Sequence, residues 1–129
     1  MNDIKTRADI EHIINTFYEK VKVDDVLGYI FNEIANVNWQ HHLPVMYDFW
    51  DFTILNNGSY ARNVMTPHFA LHEKVKLQPV HFERWLKLFN ETIDANYAGE
   101  NADAMKQRAH VIAETLKYKL GERDKLSLI

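Results

Sequence analysis

Met65-Thr66-Pro67-His68-Phe69-Ala70-Leu71-His72, followed after a short connecting stretch by His81-Phe82-Glu83-Arg84-Trp85-Leu86-Lys87-Leu88-Phe89, places two imidazoles ahead of a strongly aromatic segment in a chain without cysteine. Thr66 suits a helix N-cap and Pro67 a first helical position, which puts His68 in the first turn of a short helix. The positive end of a helix disfavours imidazolium, so His68 is expected to stay neutral with a lone pair to donate. A metal ligand needs that state. His72 lies one turn further on, and the spacing alone leaves it open as the donor in place of His68.

Outward from this stretch, the apolar residues recur at steps of three and four. Pro79 opens a helix that carries Phe82, Trp85, Leu86, Leu88, Phe89, Ile93 and Tyr97, and Gly99 closes it. Upstream, Thr6 followed by Asp9 suits an N-cap opening a helix with Ile10, Ile13, Ile14, Phe17, Tyr18 and Val21 at helical spacing. Asp24 or Asp25 is expected to start a second, short helix through Val26, Leu27, Ile30, Phe31 and Ile34, ending near Asn36. A third runs from about Asn38 through Trp39, His42, Leu43, Met46, Phe49, Trp50, Thr53 and Ile54 to the turn signal Asn56-Asn57-Gly58-Ser59. Pro44 removes a backbone donor inside it and is expected to make its first turn irregular. The last helix is expected from about Asn101 to Leu120, with Ala104, Arg108, Val111, Ile112, Thr115 and Leu116 spaced for packing and Gly121 as the C-cap. Beyond about residue 121 a frayed tail is expected.

Composition bounds the rest. The chain has 129 residues, 47% of them hydrophobic and 12% aromatic, which is enough for one core and not two. With four Gly, three Pro and no alternating Val/Thr-rich segment, an all-α single domain over 1–129 is expected. Fifteen Lys plus Arg stand against 18 Asp plus Glu, scattered rather than striped, so nucleic acid is not an expected partner. Runs such as Phe52-Thr53-Ile54-Leu55 fall far short of the roughly 20 residues that cross a bilayer. The N-terminal residues lack an apolar signal segment, and a cytoplasmic protein is the default expectation.

Phe17-Tyr18-Glu19-Lys20-Val21, the stretch Asp24 to Phe31, Trp39 with His42 and Phe49-Trp50, His68 eight residues after Tyr60, and Trp85-Leu86-Lys87-Leu88-Phe89 together span nearly the whole chain. In this order and spacing the sequence resembles the truncated haemoglobins, specifically their third group. The resemblance implies a globin-like, two-over-two helical sandwich around one haem b. It implies His68 as the proximal iron ligand, and Tyr18, His42 and Trp85 as polar residues on the distal side. Phe17 and Met46 would line the distal cavity, while Phe49, Trp50, Phe69, Phe89 and Ile112 would pack on or near the porphyrin. Tyr60, Arg62, Lys74 and Lys76 flank the expected ligand and suit the haem propionates, Arg62 best.

Reversible binding of O₂ or another diatomic ligand is the activity so implied. Hydrogen bonds from a phenol or an indole N–H stabilise negative charge on such a ligand in an apolar cavity. Tight binding by several donors suits the conversion of nitric oxide to nitrate, or peroxide reduction, better than oxygen transport. Either enzyme activity needs a separate reductase, because the chain has no flavin or nicotinamide motif. A ligand sensor or scavenger without turnover, and a helical interaction module without haem, are the alternatives.

Overall fold

The computed structural model describes residues 1–34, 38–58, 72 and 76–127, except that the side chains of 122–127 are not described. The named elements among the described residues are α1 (Arg7–Lys22), α2 (Trp39–Leu55), α3 (Pro79–Asn96) and α4 (Glu100–Ser127), with a π-helical turn at Ile30–Ile34. There is no β-strand among the described residues, only an isolated bridge between Asn2 and Tyr97.

The helices form two pairs, α1 with α2 and α3 with α4, and each pair touches the other through α1 against α3 and α2 against α4. This is the two-over-two arrangement. Its centre is built from Ile10, Ile13, Ile14, Phe17 and Val21 of α1, Leu88, Phe89 and Ile93 of α3, and Ala102, Met105 and Ala109 of α4. Burying a side chain the size of Phe17 is worth about 1.5–3 kcal/mol. Phe17 also meets Tyr18, Trp85 and Phe89 edge-on at ring distances of 4.9, 5.6 and 5.0 Å, a geometry that adds roughly 0.5–1.5 kcal/mol per pair.

Local chemistry sets most helix starts where the spacing places them. The Thr6–Asp9 capping box is formed in both directions. Asn38 caps α2 by accepting from the His41 N–H. The helical pattern of α2 continues across Pro44, its sixth residue, which forgoes the one bond that an N–H there would make to the Gln40 carbonyl. Asn56 ends it in the left-handed conformation, with φ of 59°, a state asparagine tolerates.

Two expectations are corrected. The segment after α1 is not an α-helix from Asp24. It turns through residues 24–27 and winds as a π-helix at Ile30–Ile34. Asp24 Oδ2 accepts from the Val26 and Leu27 N–H groups at 3.0 Å, and Asn32 Nδ2 donates to the Lys22 carbonyl at 2.8 Å. These side-chain bonds satisfy the backbone in a tight corner instead of an extended helix. At the other end, Gly121 does not cap α4, which continues to Ser127. Glu122, Arg123, Lys125 and Leu126 are good helix formers, and a single glycine costs a helix only about 1 kcal/mol.

Candidate functional site

Tyr18 is the twelfth of the sixteen residues of α1 and is buried, 6% exposed. The periodicity that puts Phe17, Tyr18 and Val21 on the inner face also points the phenol toward the start of α2. There, one turn in from the Asn38 cap, His42 Nε2 lies 3.3 Å from the Tyr18 hydroxyl. Burial pushes the Tyr18 phenol well above the usual tyrosine range. It stays a neutral O–H donor across ordinary pH. Because it both donates and accepts, the tautomer of His42 decides which way the bond between them runs.

Trp85 reaches the same region from α3. Its ring stacks on Phe89 at 5.1 Å with an interplanar angle of 8° and meets the edge of Phe17 at 5.6 Å. Phe17 therefore stands between Tyr18 and Trp85, touching both. Phe89 is fully buried and also meets Trp50 at 5.2 Å, which in turn meets Phe49 at 5.0 Å. Met46, Phe49, Trp85 and Ile112 remain only partly buried while packed on the core.

Of the expected site residues, the structure thus gathers Tyr18, His42, Phe17 and Trp85 around one aromatic cluster, with Phe89, Trp50 and Phe49 continuing it. Met46 and Ile112 lie on α2 and α4 at the margin of the core. His68, Phe69 and Arg62, with Tyr60 and Lys74, lie outside the described residues.

The apolar surface of α2 bears on whether a flat cofactor fits. Leu43, Met46, Phe49, Trp50, Ile54 and Leu55 follow helical spacing, yet Trp50 and Asp51 alone are buried in this helix. A row of half-covered apolar side chains on α2, with Trp85, Leu86 and Ile112 likewise only partly buried on the same core, is what a large planar apolar group would finish covering. The donor set agrees: a buried phenol, an indole and an imidazole beside aromatic walls suit a small polar ligand on such a group. No cluster of three His, Cys, Asp or Glu side chains suited to a metal occurs among the described residues.

His72 is 3% exposed, and its Nδ1 lies 3.0 Å from the Leu77 N–H. A backbone N–H can only donate, so Nδ1 is the acceptor and the neutral ring carries its proton on Nε2.

Two groups near the site do not stand out from periodicity. Trp39, three residues before His42, lies against both His42 and Tyr18. A single Trp at the first position of a helix gives no sign of this until the fold brings α1 beside it. Asp24, whose side chain is 3% exposed, receives Arg84 Nε and Nη2 on Oδ1 at 2.8 and 2.7 Å. The pair ties the corner after α1 to the residue preceding Trp85. Burial raises the Asp24 carboxyl, but hydrogen bonds from Arg84, Leu27 and Val26 outweigh it and hold the group below the usual carboxylate range.

No protein-family model matches the chain. It is 33% identical over 121 residues to the group 3 truncated hemoglobin ctb of Campylobacter jejuni, covering 89% of this chain and 93% of that protein. Its fold matches the crystal structure of the group III truncated hemoglobin from Campylobacter jejuni with a TM-score of 0.76 and 31% identity, over 93% of this chain and 95% of that one. No helix among the described residues is long and apolar enough to cross a membrane.

Proposed function

Because the chain belongs to the group 3 truncated haemoglobins and is a haem-binding globin, we propose that it holds haem b through His68 and binds O₂ or another diatomic ligand beside Tyr18, His42 and Trp85. The observation that carries this reading is the contact of the buried Tyr18 hydroxyl with His42, on an aromatic wall that also holds Trp85.

The haem, when bound, supplies the iron at which a diatomic ligand takes on negative charge. The chain supplies what surrounds that charge. Tyr18 donates from a phenol that burial keeps protonated, and Trp85 offers an indole N–H, which is a donor only. His42 holds the Tyr18 oxygen. With its proton on Nε2 it donates to that oxygen and leaves the Tyr18 hydrogen for the ligand. Phe17 and Met46 keep the cavity apolar, so each donor acts in a low dielectric. Phe49, Trp50, Phe89 and Ile112 would support the porphyrin, with Phe69 and Arg62 at the ligand side and the propionates.

His68 is favoured over His72 because the Leu77 N–H occupies the His72 Nδ1 lone pair. That leaves the His72 proton on Nε2, the nitrogen that would otherwise face a metal. His72 reads as a core histidine that ties the approach to α3.

Several distal donors imply slow ligand release. We place the protein in redox use of its ligand, the conversion of nitric oxide with O₂ to nitrate or the reduction of peroxide, with electrons from an external reductase. The first test is the absorption spectrum of the protein with added hemin, alongside His68→Gly and His72→Gly. A Soret band and an imidazole-type CO spectrum that survive His72→Gly and vanish with His68→Gly support the assignment. A chain that takes up no hemin ends the haem reading for all the named residues. Adding nitric oxide to the oxygenated protein then separates turnover from mere binding, since a sensor or scavenger forms no nitrate catalytically.

A further inference from the structure

Trp39 is the first residue of α2, and its place in the cluster is set from three sides. Its ring lies 5.1 Å from Tyr18, 5.7 Å from His42 and 6.0 Å from Phe31, on which it stacks with an interplanar angle of 20°. On its face sits the Lys22 ammonium, 4.7 Å from the ring centre, and Lys22 is in turn paired with the exposed Glu19 at 3.1 Å. Phe31 itself reaches Tyr18 at 6.1 Å. Tyr18 is thus enclosed by Phe17, Phe31, Trp39 and His42, and within this ring of neighbours Trp39 is the half-buried one that carries a charged group on its face.

Resting on the haem reading above, we propose that Trp39 is a positioning residue for the distal donors: it holds the Tyr18 phenol against the His42 imidazole and separates both from solvent, so that it governs hydroxyl direction and ligand access. The argument is steric. Tyr18 and His42 come from different helices, and a 3.3 Å contact is near the long end of a hydrogen bond, so a wall on both rings decides whether it persists. Trp39 is that wall, since it touches both partners and is fixed to the π-helical turn by Phe31 and to the end of α1 by Lys22. A cation over the indole face biases the ring without locking it. Removal of the indole opens a path from the Lys22 side and lets water compete for the Tyr18 hydroxyl.

The experiment uses hemin-loaded protein in the CO form, with tyrosine labelled by ¹³C at Cζ, for the unaltered chain, Trp39→Leu and Trp39→Phe. In Trp39→Leu, CO association after photolysis is expected to rise by about tenfold or more. The Tyr18 Cζ resonance is expected to move toward that of a solvated phenol as water reaches the hydroxyl. Trp39→Phe, which keeps an aromatic wall, is expected to restore CO association to within about threefold and most of the resonance shift. Unchanged CO association and an unchanged Tyr18 Cζ resonance in Trp39→Leu would overturn the inference, whatever the loss in thermal stability, because a merely structural tryptophan moves stability alone. Equal changes in the Leu and Phe variants would overturn it as well. Failure of the unaltered chain to take up hemin removes the haem reading itself and this inference with it, which distinguishes that failure from one at Trp39 in loaded protein.

Discussion

At the scale of single residues, the proposed distal chemistry rests on two hydrogen-bond donors, Tyr18 and Trp85, which lie on different helices on either side of Phe17. A hydrogen bond to a charged or strongly polarised group contributes roughly 1.5–3 kcal/mol. Tyr18→Phe, which keeps the ring and removes the hydroxyl, is therefore expected to speed O₂ release by on the order of tenfold to a hundredfold. Trp85→Leu should act similarly. Displacement of O₂ by CO in a stopped-flow instrument measures both, and a release rate within twofold or so of the unaltered chain in Tyr18→Phe would remove the phenol as a ligand donor. The two effects should not add, because Phe17 packs against both rings and a change at one shifts the other. The proposal of Tyr18 and Trp85 as donors comes from the family resemblance. Periodicity by itself places Tyr18 and Trp85 on apolar faces, where an aromatic with a satisfied polar tip is the ordinary outcome. The sequence pattern gives Trp39 no role, because its contacts with Tyr18 and His42 depend on α1 meeting α2, which spacing within one helix does not contain.

At the scale of elements, the corner after α1 fixes where the two donor helices stand. Asp24 accepts from Arg84 of α3 and from two N–H groups of its own turn, while a Cβ on Gly28 would come within 2.9 Å of the Lys22 carbonyl oxygen. Gly28→Ala is expected to destabilise the fold by about 1–3 kcal/mol, because the atom it meets is backbone and cannot swing away. Denaturant unfolding reads this directly, and an unchanged midpoint would show that the corner yields. Asp24 adds a pH dependence whose sign follows from its lowered folded value. Stability from this group is fully present above the unfolded carboxylate value of about 3.9 and is lost as pH falls through the lower folded value. Asp3 and Asp9 act in the same direction. In each, burial raises the carboxyl but backbone hydrogen bonds outweigh it, from Asn101, Ala102 and Ile4 at Asp3 and from Lys5 and Thr6 at Asp9. Asp24→Asn should lower the melting temperature near neutral pH, by on the order of 5 °C, and leave a shallower decline below about pH 4. An acid limb of unchanged slope would exclude Asp24 as a contributor. Helix starts with a Thr-x-x-Asp box or an N1 proline were readable in advance, since one residue's chemistry decides them. The π-helical turn was not, because it depends on side-chain bonds from Asp24 and Asn32 that periodicity does not contain; nor was the run of α4 past Gly121, because a glycine after a periodic stretch reads as a stop although a helix tolerates it at small cost.

For the whole molecule, the decisive feature is a fold whose two helix pairs leave apolar side chains of α2 half-covered. A helix with Leu43, Met46, Phe49, Ile54 and Leu55 in register would bury more than Trp50 and Asp51 if its partners alone completed the core. The remaining area is a free-energy reserve at about 25 cal/mol per Å² that only a bound apolar group realises. Binding to the folded chain alone stabilises it by RT ln(1 + [L]/Kd), about 2.7 kcal/mol at a hundredfold excess over Kd. For a chain of this size, hemin should then raise the melting temperature by on the order of 10 °C, more as its concentration rises. His68→Gly should lose most of that rise. Met46→Glu offers an independent check, since it places a charge on the α2 surface. It should weaken hemin uptake while leaving haem-free stability nearly unchanged, because Met46 is only partly buried there. Calorimetry of the three proteins with and without hemin measures all of this. If the unaltered chain melts at the same temperature at every hemin concentration, the half-covered face is not a cofactor surface. If Met46→Glu lowers haem-free stability as much as haem-bound stability, the residue belongs to the core and the coupling must run through other side chains of α2.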